Sequence, residues 1–228
     1  MKETMLLENI TFEINTTTLM KRLRIDQESK YANKLQGLAQ EALEIGKPKA
    51  MYKVVPIDSK SDDSIQAGGI TFSSRVLRVN LEEANRIFPY VATCGLELEE
   101  WAAQKNDMLH QFWADAIKQA ALFSAVQALE KYQIEKHSLG KTAVMSPGSF
   151  EDWPITEQIA LFTLIGNTQE TIGVRLTESC LMLPTKTVSG IRFSTEETFE
   201  SCMLCPREDC PGRRAAFDEG LYERKYQL

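Results

Sequence analysis

The stretch from Leu96 to about Lys136 constrains the fold most. Leu109, Phe112, Trp113, Ala116, Ile117, Ala120, Phe123 and Leu129 recur at helical spacing, which predicts a long core helix. Asn106-Asp107 is where the pattern invites a break. Short β-like runs surround this region: 7–15, Ala50–Ile57, Ile70–Val79, Tyr90–Thr93 and Thr142–Met145. Ile172–Leu176 and Thr187–Phe193 alternate β-branched or apolar residues with polar ones, so they are expected to pair. The polar segment DSKSDDSIQAGG reads as a turn. Further helices are expected over Gln27–Ile45, stopped by Gly46 and Pro48, over Leu81–Ile87 with Asn80 as cap, and over Thr156–Ile165, approached through Asp152–Pro154. This order lacks the strict βαβ alternation of a doubly wound sheet. It predicts an α+β fold, a mainly antiparallel twisted sheet with long helices packed on it.

With 228 residues, of which 43% are hydrophobic, the chain can bury a full core as one domain, 1–228. Residues 1–48 read as an N-terminal strand and helix extension, and 201–228 as a Cys-rich C-terminal tail. A net charge of −6 leaves no basic excess to displace phosphate counterions, which argues against nonspecific nucleic-acid binding. No run of 18 apolar residues occurs, and the N-terminus lacks the apolar region of a signal peptide, so a cytoplasmic protein without a membrane partner is expected. The common nucleotide loops and the G-x-S-x-G nucleophile motif are absent. Only two histidines are present. His110 lies in the apolar helix, and His137 lies near a helix end, where the dipole favours a cation.

The segment Ser146–Phe193 carries the candidate site. Pro147-Gly148, Pro184 and Ser189-Gly190 punctuate it, fixing backbone amides and small hydroxyls where a ligand can approach closely. Its blocks SPGSFEDWPITEQIALFTLIG, IGVRLTES and LPTKTVSGIRF resemble the activation domain of cobalamin-dependent methionine synthase. That family carries R-x-x-x-G-Y, then L-T-E-S, then P-x-x-S-V-S-G. The helical stretch VATCGLELEEWAAQKNDMLHQFWADAIKQAALFSAVQALE extends the resemblance, to roughly residues 50–217.

The resemblance implies a protein that helps return a partner's corrinoid from inactive Co(II) to the Co(I)/methyl-Co(III) cycle, with S-adenosylmethionine as ligand. The implied partner is a corrinoid-binding protein or a methionine synthase-like methyltransferase. Carried over residue by residue, R-x-x-x-G-Y falls on Val144, Met145, Ser146, Pro147, Gly148 and Ser149. Val144 stands where the family has Arg, and Ser149 where it has Tyr. Glu178 and Ser179 match L-T-E-S, and Lys186, Ser189 and Gly190 match the following turn. Glu178 alternatively reads as solvated, or as paired with Arg175 or Arg192. Trp153 reads either as core or as a platform for corrinoid or adenine. A noncatalytic module that caps a corrinoid protein is the alternative for the whole chain, and a metal-bearing redox module for another partner is the third.

Cys202, Cys205 and Cys210 have the spacing C-x2-C-x4-C, with Pro206, Pro211 and Gly212 opposing helix formation and Arg207, Arg213 and Arg214 close in sequence. Without a secretion signal they read as reduced thiols. Three readings stand: an iron–sulfur cluster, a zinc ion, or free thiols. A fourth metal ligand would come from Cys94, Cys180, His110, His137 or outside the chain.

Overall fold

The computed structural model describes residues 4–210 and 212–227. In chain order the strands are β1 (Met5–Leu7), β2 (Lys49–Tyr52), β3 (Val55–Lys60), β4 (Ser64–Ala67), β5 (Ile70–Ser73), β6 (Arg86–Thr93), β7 (Thr142–Met145), β8 (Arg175–Leu176), β9 (Met182–Leu183) and β10 (Thr187–Ser194). The helices are α1 (Thr16–Leu23), α2 (Lys30–Ile45), α3 (Arg75–Asn80), α4 (Leu96–Ala103), α5 (Met108–His137), α6 (Gln158–Ile165), α7 (Thr168–Ile172) and α8 (Leu221–Lys225). Every pairing in the main sheet is antiparallel, so the α+β expectation holds.

The sheet is built around β6. One edge of β6 pairs with β10, from Thr187↔Thr93 to Arg192↔Phe88, and β10 in turn pairs with β7. Its other edge is shared. β2 takes the segment from Thr93 to Tyr90, and β3 takes Ile87 and Arg86. Pro89 lies at the junction, where its carbonyl accepts the Lys53 N–H at 3.0 Å. A strand residue presents its N–H and C=O to the same edge, so the donor Pro89 lacks falls where one neighbour hands over to the next.

Because β6 lies between two layers, Ile87 through Thr93 are all buried. Phe88, Tyr90 and Ala92 face a core shared with α2, α4 and α5, while Ile87 and Val91 face a second core with α3 and α6. Fully burying each large apolar side chain contributes roughly 1.5–3 kcal/mol, which makes this doubly covered strand the energetic centre of the sheet.

Helix α5 begins where the sequence indicated. Asp107 is its N-cap, with Oδ1 accepting the Leu109 N–H at 2.7 Å. Its buried face is Trp113, Ile117, Ala121, Ala125, Leu129 and Gln133, an unbroken i,i+4 ladder. The expected apolar face was rotated too far: Leu109, Phe112 and Phe123 are exposed, the two phenylalanines at 60%. Arg192 fastens β10 to this helix. Its guanidinium donates to Gln133 at 3.0 Å, Glu130 at 2.8 Å and Thr142 at 2.9 Å.

Several local expectations are corrected. Residues 8–15 form no strand, and Asn15 instead caps α1 through the Thr18 N–H. Ala50–Ile57 divides into β2 and β3. Part of the polar turn is β4, whose residues alternate between buried and exposed. Ile70–Val79 ends as a strand at Ser73, because Ser74 accepts the Leu77 N–H and starts α3. Leu81–Ile87 is not a helix, and Asn80 is the last residue of α3 rather than a cap. Ile172 belongs to α7, and β8 pairs with β9 rather than with β10. The N-terminal segment is no appendage: β1 joins the sheet through β2, and Leu35, Ala39 and Ala42 of α2 are buried in the first core.

His137 also departs from expectation. It ends α5 in half-buried surroundings against Tyr52 and Phe88, with Nε2 2.8 Å from the Tyr52 hydroxyl. Burial pushes the Tyr52 hydroxyl up to about 12, so it remains a donor and His137 Nε2 accepts. Burial, then the nearby Arg86 and Lys136 charges, hold the His137 pKa below its usual value despite the helix end. A histidine preferred neutral in the folded state contributes stability above its unfolded pKa of about 6.5, and this is lost as pH falls below that value. The urea midpoint should therefore drop on acidification below about pH 6.5, and His137→Gln should flatten that limb. An identical acid limb in the variant contradicts the assignment.

Candidate functional site

The loop after β7 is folded by its own sequence. Gly148 has φ +81°, a conformation open to glycine, and a Cβ there would lie 2.8 Å from Ile155 Cδ1. Its N–H donates to the Trp153 carbonyl at 2.7 Å. Asp152 then ties the loop to α3, accepting the Val76 N–H at 2.9 Å and the Ser74 hydroxyl. Trp153 is fully buried and meets Phe72 edge to face at 6.3 Å, so the core reading is the correct one for it. Its indole N–H has no partner among the described residues.

These restraints set Ser149, Phe150, Glu151 and Asp152 along one wall of a cavity of about 570 Å³. Val76 of α3 also lines it. The opposite wall is the C-terminal segment: Leu204, Pro206, Phe217, Asp218, Glu219 and Tyr222. Four carboxylates and three aromatic rings line the space, with no lysine, arginine or histidine among them. Asp218 is paired outward with Arg224 at 2.7 Å. Such a space suits an organic cation that also carries a flat ring.

The other sequence-derived residues lie elsewhere. Val144 is half-buried against the α5 core. Pro147 is buried. Ser146 lies beside Gly190 close to the Tyr90 ring, and burial pushes the Tyr90 hydroxyl above its ordinary value. Gly190 lets the strands close here, since a Cβ would come within 2.7 Å of the Met145 carbonyl and of Ser146 Oγ. Ser189 is buried and donates to Gln158 Oε1 at 3.2 Å. Glu178 and Ser179 are exposed at the tip of the β8–β9 hairpin, where Ser179 Oγ is 3.1 Å from Thr177 Oγ1. Neither Arg175 nor Arg192 pairs with Glu178, and the Arg192 ion pair is with Glu130. Lys186 is bound to Asp115 at 2.9 Å. Ser149 is therefore the one candidate that reaches the cavity. Sequence reasoning missed Glu151 on the loop, and also Phe217, Asp218, Glu219 and Tyr222, which come from a tail that gave no periodic signal. A larger groove, about 1130 Å³, runs between the α1 region and α5, is also lined by Gly212, and contains none of the residues predicted for the site.

The tail is anchored by side chains. Phe199 and Tyr226 are buried in the second core, and Asn80 donates to the Tyr226 hydroxyl at 3.0 Å. Between them, Arg213 gathers the loop: its guanidinium donates to the carbonyls of Cys202 at 3.1 Å, Cys205 at 3.1 Å, Ala215 at 3.2 Å and Arg207. Pro211 lies outside the described residues.

Among the described residues, no three Cys, His, Asp or Glu side chains come together as a set that could hold a metal. Around Cys202 and Cys205 the backbone carbonyls are instead gathered by the Arg213 guanidinium. Cys94 and Cys180 are buried apart from the loop, and burial pushes the Cys94 thiol up to about 12. The Cys202 thiol is held below its usual value, chiefly by the Arg214 N–H at 3.4 Å.

Residues 141–201 match the family described as vitamin B12 dependent methionine synthase, activation domain. The resemblance read from the sequence is borne out over that stretch, which holds β7, the Pro-Gly loop and β10. A solved structure, the MetH reactivation domain bound to AdoHcy, shares the fold with a TM-score of 0.60 and 15% identity, over 87% of this chain and 81% of that one. No curated protein matches the chain. Among the described residues no helix is long and apolar enough to cross a membrane.

Arg213→Ala should release the loop while the ends stay anchored. Chymotryptic cleavage at Leu204 or Phe217 should accelerate, with the global unfolding free energy from urea titration changed by less than about 1 kcal/mol, because the freed carbonyls can reach water. Unchanged cleavage, or global unfolding, contradicts the role given to Arg213.

Proposed function

We propose that this protein assists the reductive reactivation of a corrinoid-dependent methyltransferase, docking on the corrinoid-binding partner and holding S-adenosylmethionine in the loop–tail cavity. The observation that carries this reading is the family match over 141–201, since those residues include the loop that forms one cavity wall. The AdoHcy held by the structural neighbour is consistent with it. When bound, S-adenosylmethionine supplies the methyl group that traps reduced cobalt on the partner.

The residues present fit much of this ligand. Glu151, Asp152 and Glu219 offer negative charge to the ammonium and sulfonium groups, and Phe150, Phe217 and Tyr222 offer ring faces to adenine. The chain's contribution is orientation and exclusion of water. The methionine carboxylate meets no cation among the lining residues, because Val144 packs into the core and Lys186 is engaged by Asp115. A missing charged hydrogen bond costs about 1.5–3 kcal/mol, or roughly ten- to a hundredfold in affinity, so weak binding is expected.

Titration calorimetry should give micromolar or weaker affinity for S-adenosylmethionine, and Phe217→Ala should weaken it at least about fivefold. Mixed anaerobically with a corrinoid partner in the Co(II) state, a reductant and S-adenosylmethionine, the protein should increase the yield of methylated corrinoid. No binding, together with a stable complex with the partner, would instead support the noncatalytic capping module. If the protein neither binds the partner nor changes the yield, the proposal fails.

A further inference from the structure

Three thiols lie within nine residues of the tail, and two of them share one turn. Cys205 donates its N–H to the Cys202 carbonyl at 3.3 Å, directly after the 3-10 turn Ser201–Leu204. A turn closed this way brings its first and fourth Cα atoms within about 7 Å. Disulfides span Cα separations of about 4.4–6.8 Å, so the backbone already holds these residues near bonding range. Arg213 fixes that arrangement, because the two ends of its guanidinium bind the carbonyls of these two cysteines, each at 3.1 Å. Cys202 Sγ also accepts the Arg214 N–H at 3.4 Å, which holds this sulfur in place beside the turn. Both residues are half-buried and reachable from solvent. Cys210 lies beyond this turn, in the segment where Arg213 N–H bonds the Cys210 carbonyl at 3.1 Å.

We propose that Cys202 and Cys205 form a dithiol–disulfide couple that exchanges with low-molecular-weight disulfides, Cys202 attacking and Cys205 resolving. The Cys202 thiolate attacks one sulfur of the small disulfide, forming a mixed disulfide and releasing one small thiolate, which takes up a proton. The Cys205 thiolate then attacks Cys202 Sγ, closing the intramolecular bond and releasing the second small thiol. Two protein thiols lose two electrons and two protons, and the small disulfide is reduced to two thiols. The couple borders the cavity, since Leu204 and Pro206 flank Cys205 and line it. It does not depend on the function proposed above.

The test incubates the reduced full-length protein with oxidised glutathione, alkylates the remaining thiols and maps tryptic peptides. Cleavage after Arg192, Arg207 and Arg213 places Cys202 and Cys205 in peptide 193–207 and Cys210 in 208–213. The expected result is peptide 193–207 lighter by two hydrogens, with Cys210 alkylated. Cys205→Ser should accumulate glutathione on Cys202, and Cys202→Ser should slow adduct formation at least about tenfold, with circular dichroism of both variants unchanged. A crosslink between peptides 193–207 and 208–213 would overturn the proposal. So would adducts on all three cysteines at similar rates, or no oxidation of peptide 193–207.

Discussion

From Ile87 to Thr93 strand β6 has no solvent face, and the rest of the molecule is arranged around that fact. Its residues alternate between the α5 core and the α3–α6 core, so its position in the sheet fixes both layers at once. A one-residue slip of β10 against it would move Arg192 away from Glu130 and Gln133, and would carry Ile191 and Phe193 out of the second core. It would also replace Gly190 where Tyr90, Met145 and Ser146 converge. The register of β10, and through it the start of the Pro-Gly loop, is therefore set by constraints on both faces of one strand.

From this frame the cavity follows by short steps. β7 ends at Met145 against β10, the chain turns at Gly148, and Asp152 fastens the turn to the start of α3. The opposite wall is held by Phe199 and Tyr226 in the second core and by Arg213 within the loop. The chemical character of the space comes from both: carboxylates and rings from each side, and no cation among the lining residues. The family motif thus contributes its backbone and Ser149, while most of the polar lining comes from residues outside the motif.

The legible parts of the fold were those specified by local sequence. Asp107 caps α5 just after α4 has ended at Ala103, and Thr142–Met145 alternates as a strand should, so both were readable. Pro89 hid the length of β6, since a proline argues against a central strand unless its missing donor falls at a junction that only the tertiary structure reveals. Ser74 hid α3, because the β-branched and apolar run on either side of it reads continuously. The exposure of Phe112 and Phe123 was illegible for a different reason: α5 is apolar on more than one side, and small alanines rather than phenylalanines face the sheet. Arg213, the organiser of the tail, appeared in sequence only as a neighbour of cysteines, because its contacts to the carbonyls of Cys202, Cys205, Arg207 and Ala215 follow no helical or strand period.

The claim that most needs direct measurement is that the loop and the tail form two walls of one ligand site. Hydrogen exchange of the protein with and without saturating S-adenosylmethionine addresses it. The account predicts slower exchange in 149–153 and in 203–222 together, with the amides of β6 unchanged. Protection confined to the β8–β9 hairpin and the start of β10, with the tail unaffected, would contradict it.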